Sequence, residues 1–283
     1  MTTNAMQQAI KDEIKDLEQE YGIEVLLAVE YGSRAWGLEH AGSDHDIRLI
    51  YRDSPHQAFS LFQDREMIAH PTMVDGVEVD LTCWSLPKAL KLATVSNPQL
   101  NEFLACPVRY RSEEAFVEDL TRICKAASPR VMAHYYRGSA KKNLLQKICD
   151  QRQVDVKATL QMVRGTLSAQ WIVQNPDQGA FPPVDFETLL DAVDHSKDRL
   201  YFDETRAQID RLVALKREGG HCRDPHDICL IEQFGLEAME RLPEQIGHLD
   251  NPYVDQALAE QAFQNQYPQI FPKEEINYPE VCL

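Results

Sequence analysis

No apolar stretch in the 283-residue sequence approaches the roughly 20 residues that a helix needs to cross a bilayer. A membrane span is not expected. Positive charge is scarce as well, with 29 Lys and Arg against 45 Asp and Glu, a net of −16. That balance argues against broad adhesion to nucleic acid or anionic lipid and leaves room for a local basic site. The opening segment, MTTNAMQQAIKDEIKDLEQE, lacks the apolar core of an export signal and is too acidic for a transit peptide. The expectation is a cytoplasmic protein. Its seven cysteines, odd in number and scattered, read as reduced thiols rather than a disulfide framework. Internal repeats and low-complexity tracts are also missing. The length suits one large domain or two of ordinary size.

Three strands are legible near the start. Ala9, Ile10, Ile14 and Leu17 recur among charges at a helical period, so a helix over 4–20 opens the chain. EVLLAVEYG then reads as a buried strand running into Gly32-Ser33. DIRLIY gives a second strand and VDGVEVDLTCW a third, on which Glu78, Asp80 and Thr82 share one face. Asp46 and Asp80 are thereby expected on neighbouring strands. From Ser85 the period becomes helical, with helices expected near 129–149, 154–175, 185–218 and 227–243. Ser128-Pro129 divides an α+β unit of 1–127 from a helical unit of 128–283.

Chemistry concentrates in Gly32-Ser33-Arg34-Ala35-Trp36-Gly37, followed by Ser43-Asp44-His45-Asp46. Glycines let a backbone approach a polyphosphate closely, Ser33 adds a hydroxyl and an amide, and a helix starting there would favour an anion. Two aspartates at i and i+2 entering a strand offer hard oxygen ligands of the kind Mg²⁺ takes when bridged by substrate phosphates. Asp80 would complete a site for two cations flanking an in-line displacement at phosphorus. Residues 128–165 carry 8 basic and 2 acidic side chains between two acidic flanks. Either this is a solvated helix face or it is an anion-binding wall, with Arg137 and Lys141 on one helix face and Lys157 and Arg164 on another.

The pattern G-S-x-x-x-G followed by S-D-x-D resembles the signature of polymerase-beta-type nucleotidyltransferases. The blocks GSRAWGLEHAGSDHDIRLIY, DLTCWSLPKALKL, NPQLNEFLACPVRY and HYYRGSAKKN are similar to one branch of that superfamily, the RNA-repair-associated RlaP (YcgL-like) family, over residues 29–218. The resemblance implies a small mixed sheet with helices followed by a helical domain. It also implies Mg²⁺, or Mn²⁺ in its place, and transfer of a nucleoside monophosphate from a nucleoside triphosphate such as ATP. The acceptor it implies is an RNA end, in functional association with an RNA ligase. Carried over by position, Gly32 and Ser33 would hold the triphosphate. Asp44 and Asp46 would bind the nucleotide-side metal, and Asp46 with Asp80 a second metal that acidifies the attacking hydroxyl. Lys141, Lys157 and Arg164 resemble positively charged positions of that family's helical domain and are candidate nucleotide-binding residues, as ligands for the triphosphate or else for the acceptor; Arg34, inside the loop, either touches the nucleotide's phosphates or is solvated. Trp36 is expected to pack rather than to stack on a base, and Glu78 ranks behind Asp80.

Two other readings stand beside this one: nucleotidylation of a protein or small molecule, and a catalytically silent module that senses nucleotide. His221, Cys222, His226 and Cys229 lie within nine residues, but their spacing fits no zinc pattern, and a polar loop with incidental thiols is expected there.

Overall fold

The computed structural model describes residues 3–61, 65–145, 155–178, 181–195, 199–220 and 225–272. Helix α1 (Thr3–Tyr21) buries Met6, Ile10, Ile14 and Leu17, one stripe at helical spacing, against the sheet. Strand β1 (Ile23–Tyr31) is apolar and buried along almost its whole length, because both its faces are covered. After the one-turn helix α2 (Gly32–Ala35) come β2 (His45–Asp53), α3 (Pro55–Ala58), and the hairpin of β3 (Met67–Val74) and β4 (Val77–Ser85). Helices α4 (Leu86–Thr94) and α5 (Pro98–Ala105), strand β5 (Arg109–Ser112) and helix α6 (Glu114–Lys125) follow. The sheet order is β3-β4-β2-β1-β5; β2 and β4 are parallel and the other neighbours antiparallel.

Two strands escaped the sequence reading for physical reasons. β3 carries Pro71, which a sheet tolerates at an edge, and its burial alternates with exposed Met67, Ala69 and Met73. The Asp75-Gly76 turn joins it to β4 with positive φ at both residues (49° and 81°), as a two-residue hairpin of this hand requires. β5, with only Tyr110 buried among Arg109, Arg111 and Ser112, is too short for a pattern to emerge.

The two sheet faces carry separate cores. One holds α1 against Ala28, Ile47, Leu49, Tyr51, Val79 and Leu81. The other packs Leu27, Val29, Ile50 and Trp84 under Leu90, Phe103 and Phe116 of α4, α5 and α6. A third core is built from helices α7 (Pro129–Asn143), α8 (Val156–Gln174), α9 (Phe186–Ala192), α10 (Arg199–Arg217) and α11 (Cys229–Gly247), joined by Leu38 of the loop before β2. The continuous helix expected over 185–218 is two: Val193 leaves α9 with an extended backbone (φ −89°, ψ 128°). The expected helix near 129–149 is seen as α7, and its residues 146–149 lie outside the described residues. Helix α7 is capped by Ser128, whose Oγ accepts from Val131 N–H (3.2 Å) while donating to Asn251 (2.7 Å). Proline at N1 follows, as the dipeptide suggests.

Helix α12 (Gln256–Asn265) went unread in the sequence, and it returns to α4 and α6. By packing, Val254, Ala262 and Tyr267 belong to the sheet's core, far from their neighbours in sequence. The Cys83, Cys106 and Cys124 thiols are free and buried, and burial pushes each up to about 12. No described helix is long and apolar enough to cross a membrane.

Tyr267 is 1% exposed and donates to the Asp53 carbonyl (3.2 Å). Tyr267→Ala is expected to cost about 3–5 kcal/mol, the range for emptying a large aromatic site. Urea unfolding of the full chain measures it, and a loss below about 1 kcal/mol would contradict this packing.

Candidate nucleotide-binding site

β1 ends at Tyr31, opposite Asp46 in the antiparallel register. Gly32 then turns the chain at φ +62°, and a Cβ placed on it would lie 2.1 Å from Asp46 Oδ2. Only glycine satisfies both the backbone angle and that contact. The helix that follows is a single turn, so the anion-favouring dipole expected there is too short to matter. Arg34 spends its guanidinium on the carbonyls of Ser43 (2.7 Å) and Asp44 (3.1 Å), pinning the loop that carries Asp44.

The parallel register of β2 and β4 sets Asp46 beside Asp80. Two residues along β2, and so on the same face, Arg48 donates to Asp46 Oδ1 (3.3 Å) and to Asp80 Oδ2 (3.1 Å). Its guanidinium also lies 5.7 Å from the Tyr31 ring centre. Asp44 precedes the strand and is exposed. Glu78 shares the face of Asp80 but is exposed. Burial raises the Asp46 pKa, Arg48 opposes it, Asp80 and Asp44 push it further up, and Lys157 lowers it. Among the described residues, no three His, Cys, Asp or Glu side chains converge as they stand into a metal cluster. The donors nonetheless suit a hard divalent cation: they are carboxylates, close enough to perturb one another, and a guanidinium already bridges two of them.

Against this floor stands α8. Lys157, Leu160, Gln161 and Arg164 recur at i, i+3, i+4 and i+7, one helical face, and line a cavity of about 270 Å³ with Gly32, Ser33, Asp44, Asp46 and Arg48. Lys216 of α10 and the apolar Trp36 and Leu38 close it. Two residues of the basic segment therefore reach the cavity. Lys141 stands exposed on α7 away from it, and Arg137 donates to the Met239 carbonyl of α11 (3.2 Å).

Arg164 has a second commitment. Its guanidinium pairs with Glu102 of α5 (2.9 Å), with both side chains at most 10% exposed, and lies 4.5 Å from the Trp36 ring centre. Tyr136 of α7 also donates to Glu102 (2.9 Å), as does Tyr31 at the end of β1. Arg164 Nε and Trp36 Nε1 are buried without a partner. Trp36 packs between two cores and also lines the cavity. On the reverse face of the sheet, Glu30 accepts from Tyr110 and contacts His45 Nδ1 (3.0 Å), which fixes the strand start between the two aspartates.

Arg48, Glu102 and Lys216 were missed in the sequence. Arg48 had one available signal, its position two residues after Asp46 on an alternating strand. For the loop at 221–229, residues 221–224 lie outside the described residues; Cys229 is a free, exposed thiol.

The profile of the RlaP family, described as the RNA repair pathway DNA polymerase beta family, matches residues 6–264. The mixed sheet followed by helices fits the polymerase-beta class of nucleotidyltransferase folds. Within that class, the chain belongs to the RlaP family. It is 32% identical over 240 residues to the uncharacterized protein YcgL of Bacillus subtilis (strain 168), covering 84% of this chain and 87% of that one. A nucleotidyltransferase-like protein from Exiguobacterium sibiricum 255-15 superposes with a TM-score of 0.30 at 10% identity, covering 92% of this chain and 80% of that one. That fit is too distant to bear on the chemistry.

Because the Asp46 pKa is raised, the folded protein holds that proton to a higher pH than the unfolded chain does. Stability is then lost as pH rises from the ordinary carboxylate range through the raised value. Asp46→Asn, neutral throughout, is expected to melt above the native protein at pH 7 and level with it near pH 3, by thermal scans at both. The buried pair generates a second expectation. Glu102→Gln should cost about 3–5 kcal/mol by leaving Arg164 without its charge partner, while the joint Glu102→Leu, Arg164→Met change should cost less. Chemical denaturation of the three proteins distinguishes these outcomes.

Proposed function

We propose that the protein is a Mg²⁺-dependent nucleotidyltransferase that moves a nucleoside monophosphate from a triphosphate such as ATP to the hydroxyl of an RNA end. The observation that carries this is the pairing of Asp46 with Asp80 on parallel strands, with Asp46 backed by Gly32 and facing Lys157 across one cavity. The unit of 1–127 supplies the carboxylates, and the unit of 128–283 supplies the cationic wall. Asp44 and Asp46 would hold the nucleotide-side metal, and Asp46 with Asp80 the acceptor-side one. Mn²⁺ can replace Mg²⁺ at such oxygen donors. The ions supply charge neutralisation and a more acidic acceptor hydroxyl.

The chain's own residues do the rest. Gly32 leaves room for the Asp46 carboxylate, and Ser33 and Lys157 meet the triphosphate. Arg34 holds the Asp44 loop in place from behind, through the Ser43 and Asp44 carbonyls. Arg164 presents its face to the cavity while anchored on Glu102. The acceptor oxygen bonds to the α-phosphorus as the bond to the β-phosphate bridging oxygen breaks, so pyrophosphate leaves and the hydroxyl proton passes to solvent. The net charge of −16 suits a short contact with an RNA end rather than a long footprint. This reading carries with it a cytoplasmic protein working alongside an RNA ligase.

The test is incubation with each α-labelled triphosphate and Mg²⁺, with and without RNA. Label is expected on RNA, and Asp46→Ala should reduce transfer by at least about 10²–10³-fold in a folded protein, as loss of a principal charge-stabilising group does. Asp80→Asn should keep triphosphate affinity within a few fold and lose most of the rate. Label on a protein or small molecule would move the acceptor to that class, and binding without turnover would make the chain a nucleotide sensor.

A further inference from the structure

Arg48 stands where a cation is wanted. It is built into β2 two residues after Asp46, and the parallel register brings Asp80 to its other side. Each carboxylate receives one guanidinium nitrogen, at 3.3 and 3.1 Å; a further hydrogen bond goes to the Ile47 carbonyl at 3.3 Å, and the Tyr31 ring centre lies 5.7 Å away. This is a bridge between two acids, and it neutralises one of their two charges. A divalent cation would neutralise both and is attracted about twice as strongly at the same distance. Arg48 also lines the cavity shared with Gly32, Ser33 and Lys157, where the proposed triphosphate lies. A guanidinium fork matches phosphate oxygens as well as it matches carboxylates.

We propose that Arg48 is a triphosphate ligand held in waiting. In the structure its guanidinium rests on the Asp46–Asp80 pair, and when a divalent cation takes that pair the guanidinium passes to the donor's phosphates. The proposal rests on the nucleotidyltransferase reading and gives it a further binding residue. It also couples the two bindings. Metal and nucleotide help each other, because the cation frees the arginine that the phosphates engage, and the phosphates hold that arginine away from the cation's ligands.

A static ion pair and an exchanging ligand respond differently to substitution. For the full-length Arg48→Gln protein, Mn²⁺ titrated alone, followed by its electron paramagnetic resonance signal, is expected to bind about tenfold more tightly than to the native chain, because its competitor is gone. With Mn²⁺ saturating, an α,β-methylene triphosphate analogue titrated by calorimetry should bind about tenfold more weakly, because a phosphate ligand is gone. Opposite signs support the proposal. Unchanged affinities, or changes of the same sign, overturn it. Arg48→Lys, which keeps the charge and loses the fork, is expected between the native and Gln proteins on both measurements, and it carries the test if the Gln variant does not fold. If the native chain binds neither Mn²⁺ nor the analogue, the nucleotidyltransferase reading falls and this proposal with it. If it binds both while the Arg48 variants match it, this proposal alone falls.

Discussion

The arrangement depends on one absent side chain. Asp46 sits against the backbone of residue 32, and the space its carboxylate fills is the space a Cβ would take. Because β1 and β2 are antiparallel neighbours, that contact fixes the end of one strand against the beginning of the next. The Asp44 loop and the Arg48 bridge follow from it. Arg34, reaching back to the carbonyls of residues 43 and 44, closes the loop over the turn.

Much of this was legible in the sequence, and what was not has identifiable causes. The alternation of DIRLIY and VEVDLTCW fixed which residues face together, so the neighbouring placement of Asp46 and Asp80 could be read before any coordinate. The hairpin partner β3 could not, since Pro71 and a half-exposed pattern hide an edge strand. Residue spacing said that Lys157 and Arg164 share a face, and they do. It could not say that Arg164 meets Glu102, sixty-two positions earlier, because that pairing is decided by how α5 and α8 dock. The charge of the segment 128–165 was visible as a total, but not how it is distributed. Lys141 points to solvent and Arg137 to a helix carbonyl, so a count of charges overstated the wall.

The buried Glu102–Arg164 pair costs desolvation on both sides, and removing one partner costs more than the intact pair contributes. Here it ties four elements: α5 beside the sheet, α7 and α8 of the helical part, and Tyr31 at the edge of the Gly32 turn. The cavity wall and its carboxylate floor are thereby registered through one charged contact. A shift of α8 would strand both charges, which holds Lys157 at its distance from Asp46.

Helix α12 places a constraint of another kind on the chain. The face of α4 and α6 that it covers is apolar, and Tyr267 seals the same core as Leu27 and Trp84. During synthesis those surfaces emerge about 150 residues before their cover, at rates near 5–20 residues per second. The nascent sheet unit therefore spends on the order of ten seconds with its core unsealed, however early its strands pair. A stalled ribosome or a truncated message would release that unit with its sticky face open, so the product of incomplete translation is marked for aggregation or degradation by its own architecture.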